Sequence, residues 1–262
     1  MAIKTEIGYT TPDAITVRGR NLSTEIIGKF DFVDMIYWVT FGRMPEQREK
    51  NMVNMMLVTA ADHGLTPSAL SARLTYLGAP ESLQGAVAAG LLGAGSNFLG
   101  TIQNVTEMLK REAASLADDA DDDQVIARAS DMIREYRSVK RVIYGIGHPI
   151  HVNGDPRVPT LRAISEENGY FGKHWRLALA VTTVFKEEYK RTLPLNGAGA
   201  LGAVIADMNL DPLFGRGLAL IGRSAGLVAH VLEERQSPTG QQIWDLVLAQ
   251  DSRNEAPGSK RV

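Results

Sequence analysis

The chain has 262 residues, with 28 Lys and Arg against 30 Asp and Glu, five histidines and no cysteine. That length is enough for a sizeable core in one large domain or two small ones. A net charge of −2 gives no basic footprint for nucleic acid, and the lack of cysteine excludes disulfide scaffolds, thiolate-held metals and thiol nucleophiles.

The opening MAIKTEIGYTTPDAI has no apolar run of signal-peptide type, so a cytoplasmic protein is expected. Pro45 and Glu46 should open a helix with Val53, Leu57, Val58 and Ala61 marking one face. Residues 82–113 read as a long Ala/Gly/Leu-rich helical stretch interrupted around Gly93–Gly95. Its apolar part, Ser82 to Leu99, is broken by glycines, Gln84, Ser96 and Asn97, short of the run of about 20 apolar residues that spans a bilayer. The acidic run Asp118-Asp119-Ala120-Asp121-Asp122-Asp123 lacks the central glycine of a calcium loop. It reads as a solvated loop in which Asp122 or Asp123 caps a helix over 124–140. A Gly/Pro-punctuated loop follows from Tyr144 to Pro159. Helices are expected at about 160–168, 173–190, 197–208, 212–233 and 239–249, with a frayed polar tail, NEAPGSKRV. Repeats and paired strand patterns are not evident, and the fold class is all-α.

Two glycine motifs invite a functional reading and fail it in context. Gly197-Ala-Gly199-Ala-Leu-Gly202 fits G-x-G-x-x-G, but no strand precedes it, so a tightly packed helix start is expected instead of a dinucleotide site. Gly222-Arg-Ser224-Ala-Gly226 fits the nucleophile elbow of hydrolases. The helix-period stripe Leu218, Ile221, Ala225, Val228, Leu232 runs straight through it, and no acid separates Ser224 from His230. His148-Pro-Ile-His151 suggests a metal pair, against which Pro149 keeps the two rings off a common helical face; no metal is expected. His174 and His230, each on a helix, read as satisfied packing residues. His148 differs because it sits between Gly147 and Pro149 in a loop, where functional side chains concentrate.

Four ordered blocks then resemble the citrate synthase superfamily. The loop Gly145-Ile-Gly147-His148-Pro-Ile-His-Val-Asn-Gly-Asp155-Pro-Arg157 is similar to its G-x-G-H…D-P-R signature. Ala60-Ala-Asp62-His63-Gly64…Ser68…Arg73 resembles its A-D-H segment, and Gly222-Arg223…Gly226…His230…Glu233 its late R-x-x-G…H-x-x-E helix. The stretch from Val17-Arg-Gly-Arg through Gly28-Lys to Phe41-Gly-Arg-Met-Pro45 resembles its opening. The short length and the A-D-H-G form favour the citryl-CoA lyase branch, which includes the lyase module of ATP-citrate lyase.

The resemblance implies a two-domain helical subunit, with residues 1–95 and 209–262 as the large domain and 96–208 as the small one. It further implies an obligate homodimer, or a higher homo-oligomer, with the active site in the interdomain cleft. The implied ligands are a CoA thioester and a carboxylate such as oxaloacetate or citrate, without a tightly bound cofactor and without nucleic-acid or membrane partners. Arg157 and Arg223 match the carboxylate-binding arginines, a fork that suits bidentate recognition. His148 matches the imidazole that hydrogen-bonds the oxaloacetate carbonyl or takes the hydroxyl proton in cleavage. His63 matches a second histidine on the substrate, and Gly145, Ile146 and Gly147 a loop against the CoA adenine. Two positions depart from the family. Ser96 stands near where synthases place an enol-stabilising histidine, and Leu195-Asn-Gly-Ala198-Gly places Ala198 where L-N-V-D-G carries an acid. A methyl group shuttles no proton, so water or another group protonates the enolate, the substrate differs, or the protein binds without catalysis. The implied function is retro-aldol cleavage of citryl-CoA to acetyl-CoA and oxaloacetate. Alternatives are another 3-hydroxyacyl-CoA or a CoA- or citrate-binding homologue.

Overall fold

The computed structural model describes residues 3–253; the expected frayed tail, 254–262, lies outside them. Ahead of the helices the chain forms a small antiparallel meander of β1 (Gly8–Thr10), β2 (Ile15–Val17) and β3 (Arg20–Asn21). Gly8 stands opposite Val17 and Thr16 opposite Asn21. The turn into β3 is Arg18–Gly19, both at positive φ (47° and 81°), the twist-matched geometry of a two-residue hairpin. Strands of two or three residues leave no alternation to read, so the all-α reading omitted them.

The main elements that follow are helices: α1 (Phe32–Phe41), α2 (Gln47–Ala61), α3 (Pro67–Gly78), α4 (Leu83–Leu92), α5 (Thr101–Glu112), α6 (Asp122–Ser138), α7 (Arg157–Glu167), α8 (Lys173–Glu187), α9 (Gly197–Asp207), α10 (Pro212–Glu234) and α11 (Thr239–Gln250). The starts follow local chemistry. Glu46 and Glu49 form a reciprocal capping box at α2, and Pro67 and Pro212 sit in the first turns of α3 and α10, where a missing N–H costs nothing. The acidic run caps α6 through Asp121, whose carboxylate accepts the Gln124 N–H. That is one residue earlier than expected, and Asp122 and Asp123 instead fill the first turn, where carboxylates complement the helix dipole. The interruption expected within 82–113 is the turn between α4 and α5.

The main core is built by α1, α2 and α5–α10 around Trp175, Tyr37, Met52, Leu109 and Ile133; a smaller cluster of Ala72, Ala86, Leu227 and Val231 seats α3 and α4 on α10. α9 runs through the main core and is apolar on all sides. From Gly197 to Ala206 it is buried at every position except Ala198. Among the described residues no helix is long and apolar enough to cross a membrane.

The G-x-S-x-G sequence proves to be a helix-packing device. α10 crosses α2 so closely that a Cβ at Gly222 would lie 2.4 Å from the Leu57 carbonyl oxygen, and one at Gly226 only 1.9 Å from that of Ala61. Ser224 Oγ donates to Leu220 O within the helix at 2.8 Å and has no base beside it. Gly226→Ala is therefore expected to destabilise the fold by about 3 kcal/mol, lowering the thermal midpoint by about 6–12 °C for a chain of this size. A midpoint unchanged in a thermal melt would contradict that close approach.

Candidate active site

Two loops bring three histidines together. His63 lies in the turn between α2 and α3, and His148 and His151 lie in the loop before α7. Ring centroids are 4.4 Å apart for His148 and His151, 5.8 Å for His63 and His148, and 6.0 Å for His63 and His151, the last pair nearly parallel. Each ring offers a nitrogen within 4.8 Å of the others.

The His148 loop is pinned at both ends to the residues that lead into α9. Gly147 N–H donates to Pro194 O at 2.7 Å and Asn196 N–H to Gly145 O at 2.9 Å; the Asn196 side-chain amide donates to Gly147 O at 2.8 Å. Downstream, Gly197 N–H donates to Asp155 at 2.7 Å. Gly145 has φ +87°, and a Cβ there would lie 2.7 Å from the Cα of Gly199, so no residue but glycine fits. The expected helix-start role of the G-x-G-x-x-G run thus has a geometry: Gly199 receives Gly145, and Gly197 receives the Arg157 guanidinium, whose Cζ would be 2.6 Å from a Cβ there. Of the proposed CoA-contact residues, Gly145 and Gly147 spend carbonyl or amide groups on residues 194–196. Ile146 keeps both peptide groups without a described partner.

Two cations frame the imidazoles. Arg157 donates Nε and one terminal nitrogen to Asp155 at 2.9 and 2.7 Å. Asp155 is 3% exposed and also accepts the backbone N–H of Arg157. Burial pushes this carboxyl up, but the Arg157 side chain and the two backbone donors overcome it and hold it well below the usual carboxylate range. Arg223 on α10 is 6% exposed and donates Nε to Ala60 O at 2.9 Å. Its other N–H groups have no partner among the described residues. Burial, reinforced by Arg157 and opposed by Asp62, lowers its pKa.

The surroundings of His63 and His148 favour the neutral ring. Burial lowers the pKa of His63, and Arg157, His148, His151 and Arg223 lower it further. His148 is lowered by burial, then by His151 and Arg157, against an opposing pull from Asp155. The Nδ1 of His148 accepts the N–H groups of Ile150 and His151 at 3.1 and 3.0 Å. The neutral ring therefore carries its proton on Nε2, and in this pose His148 is a donor toward a substrate oxygen. A metal at Nε2 would require the proton to move to Nδ1 and both backbone bonds to break. The donor set suits an anion better than a cation.

These shifts carry a stability consequence. For a histidine lowered in the folded state, the unfolded chain binds more protons as pH drops through the ordinary value of 6.5, so stability is lost in that direction. Asp155 adds a second loss below its ordinary value of 3.8, as its carboxylate protonates on unfolding. The thermal midpoint is expected to fall between pH 7.5 and 5. A double His63→Gln, His148→Gln variant should show a shallower fall, and an identical slope in both proteins would contradict the neutral assignment.

His230, expected to be a packing residue, instead links charged groups. Its Nδ1 accepts from Arg73 at 2.9–3.1 Å and its Nε2 meets Asp62 at 2.9 Å. Arg73, 1% exposed, also binds Glu233 and Glu234. Asp62 accepts Gly64 N–H at 2.8 Å, so the chain Glu234–Arg73–His230–Asp62 fixes the turn that presents His63. His174 is satisfied by Asp207 at 2.7 Å. Asp207 also takes the N–H groups of Gly172, His174 and Trp175, capping α8 away from the imidazoles. Ser96 is exposed in the α4–α5 turn and has no described bond to the cluster.

The sequence blocks that reach the site are those His63, His148, Arg157 and Arg223 come from. His151, Asp155 and the Arg73–His230–Asp62 link were given no role from sequence; the signals were the H-x-x-H spacing, set aside because Pro149 forbids a helix, and the presence of Asp62, Arg73, Asp155 and His230 within the blocks that resemble the family.

Comparison with known proteins bears on the fold and the family. Residues 2–244 match the family described as citrate synthase, C-terminal domain, and the chain belongs to that family. The structure of citryl-CoA lyase from Hydrogenobacter thermophilus is 32% identical with a TM-score of 0.77, covering 89% of this chain and 87% of that one. ATP citrate lyase from Methanosaeta concilii, an aspartate-to-alanine mutant in complex with (3S)-citryl-CoA, shares the fold at 23% identity and TM-score 0.76, over 91% of this chain and 39% of that one. ATP-citrate synthase subunit 1 of Sordaria macrospora is 28% identical over 221 residues, 78% of this chain. The chain spans 31% of that relative's length.

Proposed function

We propose that the protein is a citryl-CoA lyase-type enzyme, cleaving citryl-CoA to acetyl-CoA and oxaloacetate in the cleft where His63, His148, Arg157 and Arg223 meet. The observation that carries this reading is the convergence of those four side chains from three separate stretches of sequence. It is supported by the likeness to the Hydrogenobacter thermophilus citryl-CoA lyase across nearly the whole chain.

The residues divide the work by their bonding. Arg157, steadied by Asp155, and Arg223, whose terminal N–H groups have no partner among the described residues, bind the carboxylates of the substrate. His148 donates its Nε2–H to the oxygen at the carbon undergoing cleavage, stabilising charge there as that oxygen becomes a carbonyl. His63, neutral and with no described partner on its ring, takes the hydroxyl proton as general base. The electron pair of the breaking C–C bond passes to the thioester, giving the acetyl-CoA enolate. Ile146 offers its peptide groups to the CoA adenine, and Ser96 lines the approach. The two-domain division, the homodimer and a cytoplasmic setting belong to the same proposal.

Ala198 restrains the reading, because this position would hold the acid that protonates the enolate. One comparison favours a second reading, in which the protein binds a citryl-type CoA thioester without turnover: an aspartate-to-alanine mutant of a relative is described with citryl-CoA bound. Calorimetric titration with citrate and CoA, followed by incubation with citryl-CoA, separates the two. Binding with release of oxaloacetate supports the lyase. Binding without release supports the second reading, and Ala198→Asp should then restore cleavage. Absence of binding to either ligand removes both. Since an anion seated against neutral histidines raises their pKa, citrate binding is expected to take up protons near pH 6. Calorimetry in two buffers of different ionisation enthalpy measures this, and proton release would contradict it.

A further inference from the structure

In the lyase chemistry, the hydroxyl proton has a base in His63 and the developing carbonyl a donor in His148, but the enolate carbon has no acid. Three observations point to the third imidazole. His151 lies nearly parallel to His63 at 6.0 Å and 4.4 Å from His148, half-buried and with no hydrogen bond to either ring nitrogen among the described residues. Both ends of its loop are bonded to residues 194–197, which run directly into Ala198. Ala198 is the one position between Gly197 and Ala206 that is not fully buried, its methyl group half-buried against the main core. Metal binding, the other use of three imidazoles, is opposed by the backbone bonds that His148 Nδ1 accepts.

We infer that His151 is the proton donor to the acetyl-enolate carbon in this protein, doing from the loop what an acid at position 198 would do from the helix. The inference rests on the lyase reading above. The steps balance without a further reactant. The hydroxyl proton moves to His63 as the O–H electron pair forms the carbonyl and the C–C pair forms the enolate. The His63 proton crosses to His151, whose ring nitrogen lies within 4.8 Å, a gap that one water spans. His151 gives that proton to the enolate carbon, completing the methyl group of acetyl-CoA and leaving both rings neutral. The titratable rings beside His151 are His63 from the α2–α3 turn and His148 from its own loop.

The test uses the full chain with His151→Gln, which keeps a polar side chain but cannot carry the proton. Citryl-CoA cleavage is measured beside exchange of the acetyl-CoA methyl hydrogens with D2O in the presence of oxaloacetate, a readout of proton transfer at carbon alone. His151→Gln is expected to slow both at least 100-fold, with citrate affinity, measured by calorimetry, changed less than threefold. Ala198→Asp in the same chain should recover both rates, which a merely misfolded loop would not allow. If the parent cleaves citryl-CoA and His151→Gln stays within twofold in both assays, the inference is overturned and the lyase reading stands. If the parent exchanges the methyl hydrogens but does not cleave citryl-CoA, the substrate assignment fails while the exchange rate of His151→Gln still decides the role of His151. A parent that does neither overturns both.

Discussion

Arg223→Leu is expected to weaken citrate binding by 10²–10³-fold, about 3–4 kcal/mol, while leaving folding stability within about 1 kcal/mol of the parent. The two halves of this expectation have one cause. The guanidinium is buried on α10 with a single bond to the Ala60 carbonyl, and burial disfavours its charge. The fold gains little from holding a desolvated cation that it does not pair, and an apolar side chain of similar length removes that cost. A ligand carboxylate is what would complete the site, so the loss falls on binding. Titration with citrate and a thermal melt on the same sample measure both halves. A large fall in midpoint with unchanged affinity would assign Arg223 a structural role and remove it from the site.

Asp155→Ala is expected to do the reverse, damaging the fold and the site together. Its carboxylate accepts two side-chain N–H groups of Arg157 and the backbone N–H groups of Arg157 and Gly197. Removing it leaves the guanidinium without its counter-charge and two backbone donors without an acceptor. Because the Arg157 side chain is 32% exposed, water recovers part of the loss, and the low end of the range for breaking a buried pair applies, about 3 kcal/mol or about 6–12 °C in thermal midpoint. Arg157 would then no longer be aimed, and turnover should fall with it. Asp155→Asn, which keeps the shape and part of the acceptor capacity, should retain more stability than activity. A midpoint within 2 °C of the parent for Asp155→Ala would contradict the anchoring role.

Most of the helical frame was legible because it rests on local signals. Glu46, Thr66, Asn196 and Asp211 sit at helix starts where short-range capping chemistry puts them, and the glycine punctuation around 93–95 marks a real break. The meander over residues 8–21 was not legible, since strands of two or three residues carry no period. The site was legible in its side chains but not in their arrangement. His63, His148, Arg157 and Arg223 could be chosen by resemblance, yet which ring nitrogen carries the proton depends on two backbone N–H groups that only the folded loop places. His151 was invisible for a related reason. Pro149 rules out a helix, and the inference from helix geometry stops there, whereas the loop curls to bring the second ring 4.4 Å from the first. His230 reads as packing from its helical position and becomes a link only when α3 delivers Arg73 to its far side.

The central claim is that these imidazoles and arginines form a working C–C lyase site despite Ala198. The direct measurement is incubation of the unmodified full chain with citryl-CoA, quantifying oxaloacetate and acetyl-CoA against time, with His148→Ala as the control. Equimolar release of both products, reduced at least 100-fold in the control, is the predicted result. Citryl-CoA that is bound and recovered intact from the unmodified protein would contradict it.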